Sequence, residues 1–214
     1  ELLPPDSNLT IRSDFLKEEG DSGFFVSETW KLKDLLDFSL VTSSNDGMRS
    51  VASVIGSTLL KSDDYDLGRK DFIEKMNIRA RDLGLTKTFF VNESGLDIDN
   101  VSGGYSSASD VTLLTKYIIK NHPQILEATK HQNLDISSDS KIHPAKNTND
   151  FTGSIPGLFA SKTGYTTLAG GNLVIAFDPS LGRPVIITVL GSTQDGRFTD
   201  VQTLVNATLK YLNQ

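Results

Sequence analysis

Cysteine is absent from the 214 residues. That removes disulfides, thiol nucleophiles and cysteine-ligated metals from this chain, and it is compatible with an oxidising compartment without requiring one. Histidine is scarce: only His122, His131 and His143 occur, at spacings that match no zinc-binding pattern, so neither a metal nor a cofactor is expected. His122 precedes Pro123 and His143 precedes Pro144, so both read as surface turn residues, and a Ser-His-Asp triad has little support. Positive charge is in the minority, with 21 Lys and Arg against 27 Asp and Glu and a net charge of -6, which argues against a nucleic-acid partner. No apolar run approaches the roughly 20 residues needed to span a bilayer. The opening Glu1-Leu2-Leu3-Pro4-Pro5 does not read as a secretory leader.

What remains is an ordinary globular composition, 37% hydrophobic and 22% charged, in a chain long enough for one substantial core. Before residue 30 only short extended pieces are expected, Leu9-Thr10-Ile11 and Phe24-Phe25-Val26, around the polar loop Glu18 to Gly23. Leu32, Leu35, Leu36, Ser39 and Leu40 then recur at helical spacing. The helix ends in the polar cluster Thr42 to Gly47, and a second follows with Met48, Val51, Ala52, Ile55 and Leu59 inward, capped by Asn45 or Asp46. Lys61 to Lys70 reads as a charged loop. A third helix carries Phe72, Met76, Ala80 and Leu83 and stops at Gly84. A fourth opens at Ser109 or Asp110, with Val111, Leu114 and Ile118 inward, and a short helix over 124–128 follows. Residues 130–157 are polar and irregular, with room for one hairpin.

The third part of the chain has a different grammar. Asn172 to Phe177 and Pro184 to Leu190 are β-branched apolar runs joined by the turn Asp178 to Arg183. Just before them stands Phe159-Ala160-Ser161-Lys162-Thr163-Gly164-Tyr165-Thr166, expected on an adjoining strand. There an ammonium, a hydroxyl and open backbone N–H groups can converge on an anion, and a glycine leaves room for a ligand against the backbone. Val201, Leu204, Val205, Leu209 and Leu212 mark a closing amphipathic helix. The order of helices, then strands, then one helix implies α+β, an antiparallel sheet flanked by helices. We read residues 1–214 as a single domain, mostly helical over about 27–150 and a sheet hairpin with closing helix over about 151–214.

Taken singly, Ser43-Ser44-Asn45 is a helix-capping turn and Lys162-Thr163-Gly164 is an edge strand with a solvated lysine. Together and in this order they resemble the Ser-x-Asn and Lys-Thr-Gly motifs of penicillin-binding proteins. The stretches Gly20-Asp21-Ser22-Gly23, Trp30 to Leu36, Leu40 to Gly47, Met76-Asn77 with Ala80, Leu83-Gly84, Asn92 with Gly95-Leu96-Asp97, Ser107-Ala108 with Asp110, and Lys162 to Thr166 narrow the likeness. In order, they resemble the low-molecular-mass D-alanyl-D-alanine carboxypeptidases over most of the chain.

The resemblance implies a penicillin-binding-protein or serine β-lactamase-like fold with a helical subdomain. It also implies serine acyl transfer on peptidoglycan stem peptides ending in D-Ala-D-Ala, with β-lactams as competing ligands, outside the inner membrane. Anchoring to that membrane in a full-length protein is expected too. By that likeness Ser43 relays protons to the leaving amine, Asn45 orients lysine and substrate, Lys162 and Thr163 hold the terminal carboxylate, and the N–H of Tyr165, after Gly164, is half an oxyanion hole. Arg197 stands either near that carboxylate or in a surface ion pair.

One motif is missing from the pattern. The family's nucleophile, in Ser-x-x-Lys, belongs a few tens of residues before Ser43 and is not found there. The one match, Ser138-Asp139-Ser140-Lys141, falls in the wrong order and runs into Ile142-His143-Pro144, which stops a helix. The expectation is an N-terminally shortened chain lacking the first strands and central helix of the fold, whose exposed core a missing N-terminal segment or a second copy would cover. A catalytically inactive peptide- or penicillin-binding relative is the alternative. A β-lactamase ranks last, since the stretch before Lys162 has no Glu-x-x-x-Asn.

Overall fold

The computed structural model describes residues 3–20, 23–180 and 182–212. Asp21 and Ser22, part of one resembling stretch, lie outside the described residues. The chain first makes a two-stranded antiparallel ladder, β1 (Asn8–Thr10) with β2 (Thr29–Lys31), in which Leu9 faces Trp30. Phe24 to Val26 does not form the second strand expected there. Phe24 is drawn into an aromatic cluster with Trp30 and Phe38, while Phe25 and Val26 stay exposed.

Three helices follow: α1 (Leu32–Thr42), α2 (Asn45–Leu60) and α3 (Tyr65–Asp82). Helix α1 stops because Ser43 turns left-handed, at φ 57°. Helix α2 starts at once because the Ser44 side chain accepts from the Gly47 N–H. The cap is therefore Ser44, not Asn45 or Asp46. The Lys61 to Lys70 segment is likewise mostly helix: the Asp64 carboxylate caps α3 through the Leu67 N–H, and the charges line its exposed face. Helices α2 and α3 touch through glycines. A Cβ on Gly56 would stand 1.8 Å from the Gly68 carbonyl oxygen. One hydrophobic core gathers Leu9, Trp30, Leu35, Phe38, Val41, Val51 and Ile55 from these elements.

A second short ladder, β3 (Phe89–Phe90) with β4 (Gly104–Tyr105), leads into α4 (Ala108–Asn121), which begins ahead of the expected Ser109 or Asp110 because Ser107 caps it. The 124–128 region forms two 3-10 turns, Pro123–Ile125 and Glu127–Lys130. The polar stretch beyond contains a regular hairpin, β5 (Asn133–Ser137) with β6 (Ile142–Lys146). His143 is not a surface turn residue: it points inward from β6, and its Nε2 lies 2.6 Å from Glu28 Oε1, beside Trp30. Pro144 is tolerated because β6 alternates, sending His143 and Ala145 in and Pro144 out.

The main sheet is β7 (Leu158–Thr166), β8 (Gly170–Phe177) and β9 (Val185–Ser192), antiparallel and in that order. Its back face, Leu173, Ile175, Phe177 and Ile187, packs on Val201 and Val205 of α5 (Gly196–Leu212) in a second core. Its front face carries the cross-strand row Lys162, Val174 and Thr188, and α4 reaches that row through Thr112, whose hydroxyl lies 2.8 Å from that of Thr188. The architecture is α+β, as the order of periodicities implies. Among the described residues, no helix is long and apolar enough to cross a membrane, and no cluster of metal-binding side chains occurs.

Candidate functional site

The α1–α2 link and strand β7 meet across a cleft of about 620 Å³. Its floor is Ser43, Ser44, Asn45 and Met48; one wall is Lys162 to Thr166 with Arg197, and the other is Glu93 to Leu96. Ser43 is placed by the helix break. Held in the left-handed region, it sends its hydroxyl out of both helices toward β7. Lys162 is placed by strand alternation, which aims it at the front of the sheet. The two meet although they lie 119 positions apart: the Lys162 ammonium donates to Ser43 Oγ at 2.7 Å, and to its neighbour's carbonyl, Thr163 O, at 2.7 Å.

Burial of the ammonium pushes the Lys162 pKa down to about 8, and the nearby Arg197 cation adds to the effect. Arg197 opens α5 and is itself buried. Its Nη1 donates to Gly164 O at 2.7 Å, and the side chain lines the cleft. Burial also lowers its pKa. Its Nε has no partner. Neither cation forms an ion pair with a carboxylate among the described residues. Thr163 is buried, with its hydroxyl 2.6 Å from that of Thr148. Beside Gly164 a Cβ would meet nothing closer than 3.7 Å, so the glycine there is not forced by packing and leaves the cleft open. Tyr165 is about half exposed.

Asn45 lines the same cleft, but its amide is engaged elsewhere, donating to Glu19 O at 2.8 Å. Ser138 and Lys141 are not part of the site. They sit in the β5–β6 turn, where Ser138 Oγ donates to Glu28 and the Lys141 ammonium lies 3.3 Å from the centre of the Phe25 ring. Sequence reasoning passed over Thr148 and Glu93, and gave Gly95 and Leu96 on the opposite wall no role beyond a resembling stretch. Thr148 follows the hairpin in Asn147-Thr148-Asn149, and only the docking of that hairpin against α1, through Thr148 N–H to Val41 O, brings it to Thr163. The wall is a rigid turn in which Asn92 Oδ1 accepts from Gly95 N–H at 2.6 Å and Asn92 Nδ2 donates to Leu96 O at 2.8 Å. Glu93, in that turn, pairs with Arg69 of α3 at 2.6 Å.

A cleft with two cations lacking carboxylate partners, a buried hydroxyl and open strand backbone has the chemistry to accept a carboxylate beside a hydroxyl that is hydrogen-bonded to a lysine. Known proteins share this arrangement of chain. A family model described as D-alanyl-D-alanine carboxypeptidase matches residues 7–194. The D-alanyl-D-alanine carboxypeptidase DacB2 of Mycobacterium tuberculosis is 27% identical over 194 residues, covering 89% of this chain and 62% of that protein. The D-alanyl-D-alanine endopeptidase of Escherichia coli is 32% identical over 172 residues, covering 78% of this chain and 49% of its own length. The chain thus spans roughly half the length of such curated relatives. Among solved structures, the Streptomyces K15 DD-transpeptidase superposes with a TM-score of 0.82 at 26% identity, over 95% of this chain and 79% of that one. Penicillin-binding protein D2 of Listeria monocytogenes, in its ampicillin-bound form, gives 0.72 at 31% identity, over 95% and 77%.

Proposed function

This chain belongs to the D-alanyl-D-alanine carboxypeptidase family, and from that premise we propose that its cleft is the carboxylate-binding and proton-relay half of a serine acyl-transfer site. The substrate is a peptidoglycan stem peptide ending in D-Ala-D-Ala, and β-lactams are its mimics. The observation that carries this reading is the Lys162 Nζ to Ser43 Oγ contact beside Arg197, whose Nε has no partner.

The chemistry follows from that geometry. Lys162, Arg197 and the Thr163 hydroxyl receive the terminal carboxylate. A serine Oγ gives its proton to a base on its own segment and attacks the carbonyl carbon of the penultimate residue, and the oxygen of that carbonyl gathers negative charge against the N–H of Tyr165. Collapse of the intermediate breaks the C–N bond, and the leaving amine needs a proton. Ser43 Oγ accepts its hydrogen bond from Lys162, so its own proton is free to point into the cleft. Ser43 passes that proton to the amine and regains one from Lys162. Water then releases the acyl group.

Ser43 itself is not assigned as the attacking serine, and Ser138 is held in a β-turn by Glu28. We assign the nucleophile to a segment outside residues 1–214. An apolar cavity of about 400 Å³ among Leu32, Leu36, Leu83, Leu114 and Ile118 supports this, being a place where a packed segment or a second copy would sit. With a cell-wall substrate, the protein works outside the inner membrane.

The test is an intact mass of the 214-residue chain after incubation with a penicillin, alongside equilibrium binding of an acetylated D-Ala-D-Ala peptide. No adduct with saturable peptide binding is expected, and an upstream-extended chain should then acquire the adduct. An adduct on the 214-residue chain would overturn the external nucleophile. Absence of peptide binding would overturn the carboxylate receptor. Binding without acylation of any extended chain would favour a catalytically inactive relative.

A further inference from the structure

The Thr163 hydroxyl and the Thr148 hydroxyl lie 2.6 Å apart, and among the described residues this is the one hydrogen bond that either makes. Strand alternation turns Thr163 away from the face that carries Lys162, so the lysine does not hold it. Thr148, by contrast, is fixed from several sides. Its N–H donates to Val41 O at 3.2 Å. Before it, buried Asn147 donates through Nδ2 to Thr129 O and His131 O, both at 2.9 Å. Asn147 Oδ1 accepts from the N–H of Asn149, which is buried in turn and accepts from the Phe151 N–H at 3.1 Å. Strand β7 is tied to the same Thr129 turn: Ser161 N–H donates to Thr129 Oγ1, and Ser161 Oγ donates to Thr129 O, each at 3.1 Å. Thr148 and Thr163 are thus set in register by one shared element. Between its two buried asparagines, Thr148 itself is half-buried and lines the cleft.

We propose that Thr148 is a positioning residue of the carboxylate receptor: its hydroxyl donates to Thr163 Oγ1 and so turns the Thr163 proton toward the ligand. The inference deepens the reading above, on which it rests. A threonine hydroxyl has one proton to donate and two lone pairs that accept. An ionised carboxylate only accepts, so Thr163 must donate to it. The Thr148–Thr163 bond can run in two directions, and only donation by Thr148 leaves the Thr163 proton free. The opposite direction spends that proton on Thr148 and presents lone pairs to the anion, which they repel. A hydroxyl that accepts while it donates is also the stronger donor, because each bond polarises the next. Thr148 acts through Thr163 and needs no contact of its own with the ligand.

The probe is an acetylated D-Ala-D-Ala peptide, titrated against the 214-residue chain and four variants of it. These are Thr148→Ala, Thr148→Ser, Thr163→Ala and the double variant of Thr148→Ala with Thr163→Ala, each checked for folding by thermal melting. Thr148→Ala should bind about five- to tenfold more weakly, the range of one hydrogen bond. Thr148→Ser, which keeps the hydroxyl, should bind like the unaltered chain. In the Thr163→Ala background the loss of the Thr148 hydroxyl should change nothing further, since its one route to the ligand is gone. If Thr148→Ala does not fold, Thr148→Val carries the same comparison. Unchanged affinity in Thr148→Ala would overturn the positioning role while leaving the carboxylate receptor standing. A loss that Thr148→Ser does not restore would overturn it as an effect of packing. A loss that persists in full in the Thr163→Ala background would overturn it as a direct contact between Thr148 and the ligand. Binding of the peptide by none of these proteins, the unaltered chain included, would remove the carboxylate reading and this inference with it.

Discussion

Replacing Lys162 with methionine should stabilise the fold while weakening the site. The folded protein holds this ammonium away from water beside the Arg197 cation, which lowers its pKa from 10.5 to about 8. A difference of that size corresponds to roughly 3 kcal/mol of destabilisation of the charged form. Lys162→Met keeps the chain length and removes the charge. It also forfeits hydrogen bonds to Ser43 Oγ and Thr163 O, about 1 kcal/mol each at most. A net gain of about 1–2 kcal/mol at pH 7 follows. The sign of the pH dependence is fixed by the lowered pKa. Between about pH 8 and 10.5 the unfolded chain holds a proton on this lysine that the folded chain has released, so wild-type stability gains a rising contribution there. The penalty is complete below pH 8. Urea unfolding of wild type and Lys162→Met at pH 7 and pH 10 isolates the lysine, because other titrating groups cancel in the difference. The stability difference should shift by about 2 kcal/mol or more in favour of wild type at the higher pH, closing or reversing the advantage of the variant. A gap that is independent of pH, or a variant less stable at pH 7 by more than about 1 kcal/mol, would refute the picture of a lysine held at a cost. The same variant should bind an acetylated D-Ala-D-Ala peptide at least tenfold more weakly, since a carboxylate relieves the strain in the wild type and finds less to relieve here.

Arg197→Met should raise the Lys162 pKa, shifting the alkaline edge of peptide binding upward, because a contributor to the depression is gone; an unmoved edge in a binding titration over pH would count against the coupling. Gly68→Ala should cost more than about 3 kcal/mol in urea unfolding, since its Cβ would stand 2.3 Å from the Ser57 backbone nitrogen and the two helices would have to part; a near-neutral change would mean that they slide apart at little cost. Lys61→Gly should stabilise by about 0.5–1 kcal/mol, because this exposed residue ends α2 at φ 52°; thermal melting decides. Glu28→Gln should lose about 2 kcal/mol and remove part of the acid sensitivity, since the Glu28 carboxylate accepts from Ser138 and His143. Despite desolvation, those bonds leave its pKa below the ordinary 4.5, so its stabilisation is present above that value and fades as pH falls through the lowered one. Matching acid-unfolding curves for variant and wild type would contradict this.

The parts of the fold visible in sequence are those set by local chemistry. Leu32 to Leu40 carry a helical stripe, the β-branched runs make β8 and β9, and Gly84 stops α3 near where it must, at φ 71°. What was misread depends on partners distant in sequence. His143 looks like a turn residue because proline follows it, yet Glu28, 115 positions away, supplies the buried acceptor that lets it face inward. The charged start of α3 lacks an apolar stripe, and only the Asp64 cap reveals it as helix. The site divides the same way. Ser43 and Lys162 could be picked out as residue types in recognisable motifs. Thr148 and Glu93 carry no local signal, since their relevance comes from a docked hairpin and from a buried partner on α3.

The energetics of the cleft explain why its pieces come from such separate places. An ammonium held in the wall of a cleft away from water costs free energy, and no single helix or hairpin could hold it there. Lys162 is kept in place because β7 is locked in register with β8, and that sheet is backed by the core on α5. Ser43 is kept opposite because two helices, anchored on the Trp30 core, break at that residue. Each half of the contact thus rests on a different hydrophobic core. The cost of the buried cation is spread over the packing of both, leaving a site that is poorly satisfied when empty and improved by an anion.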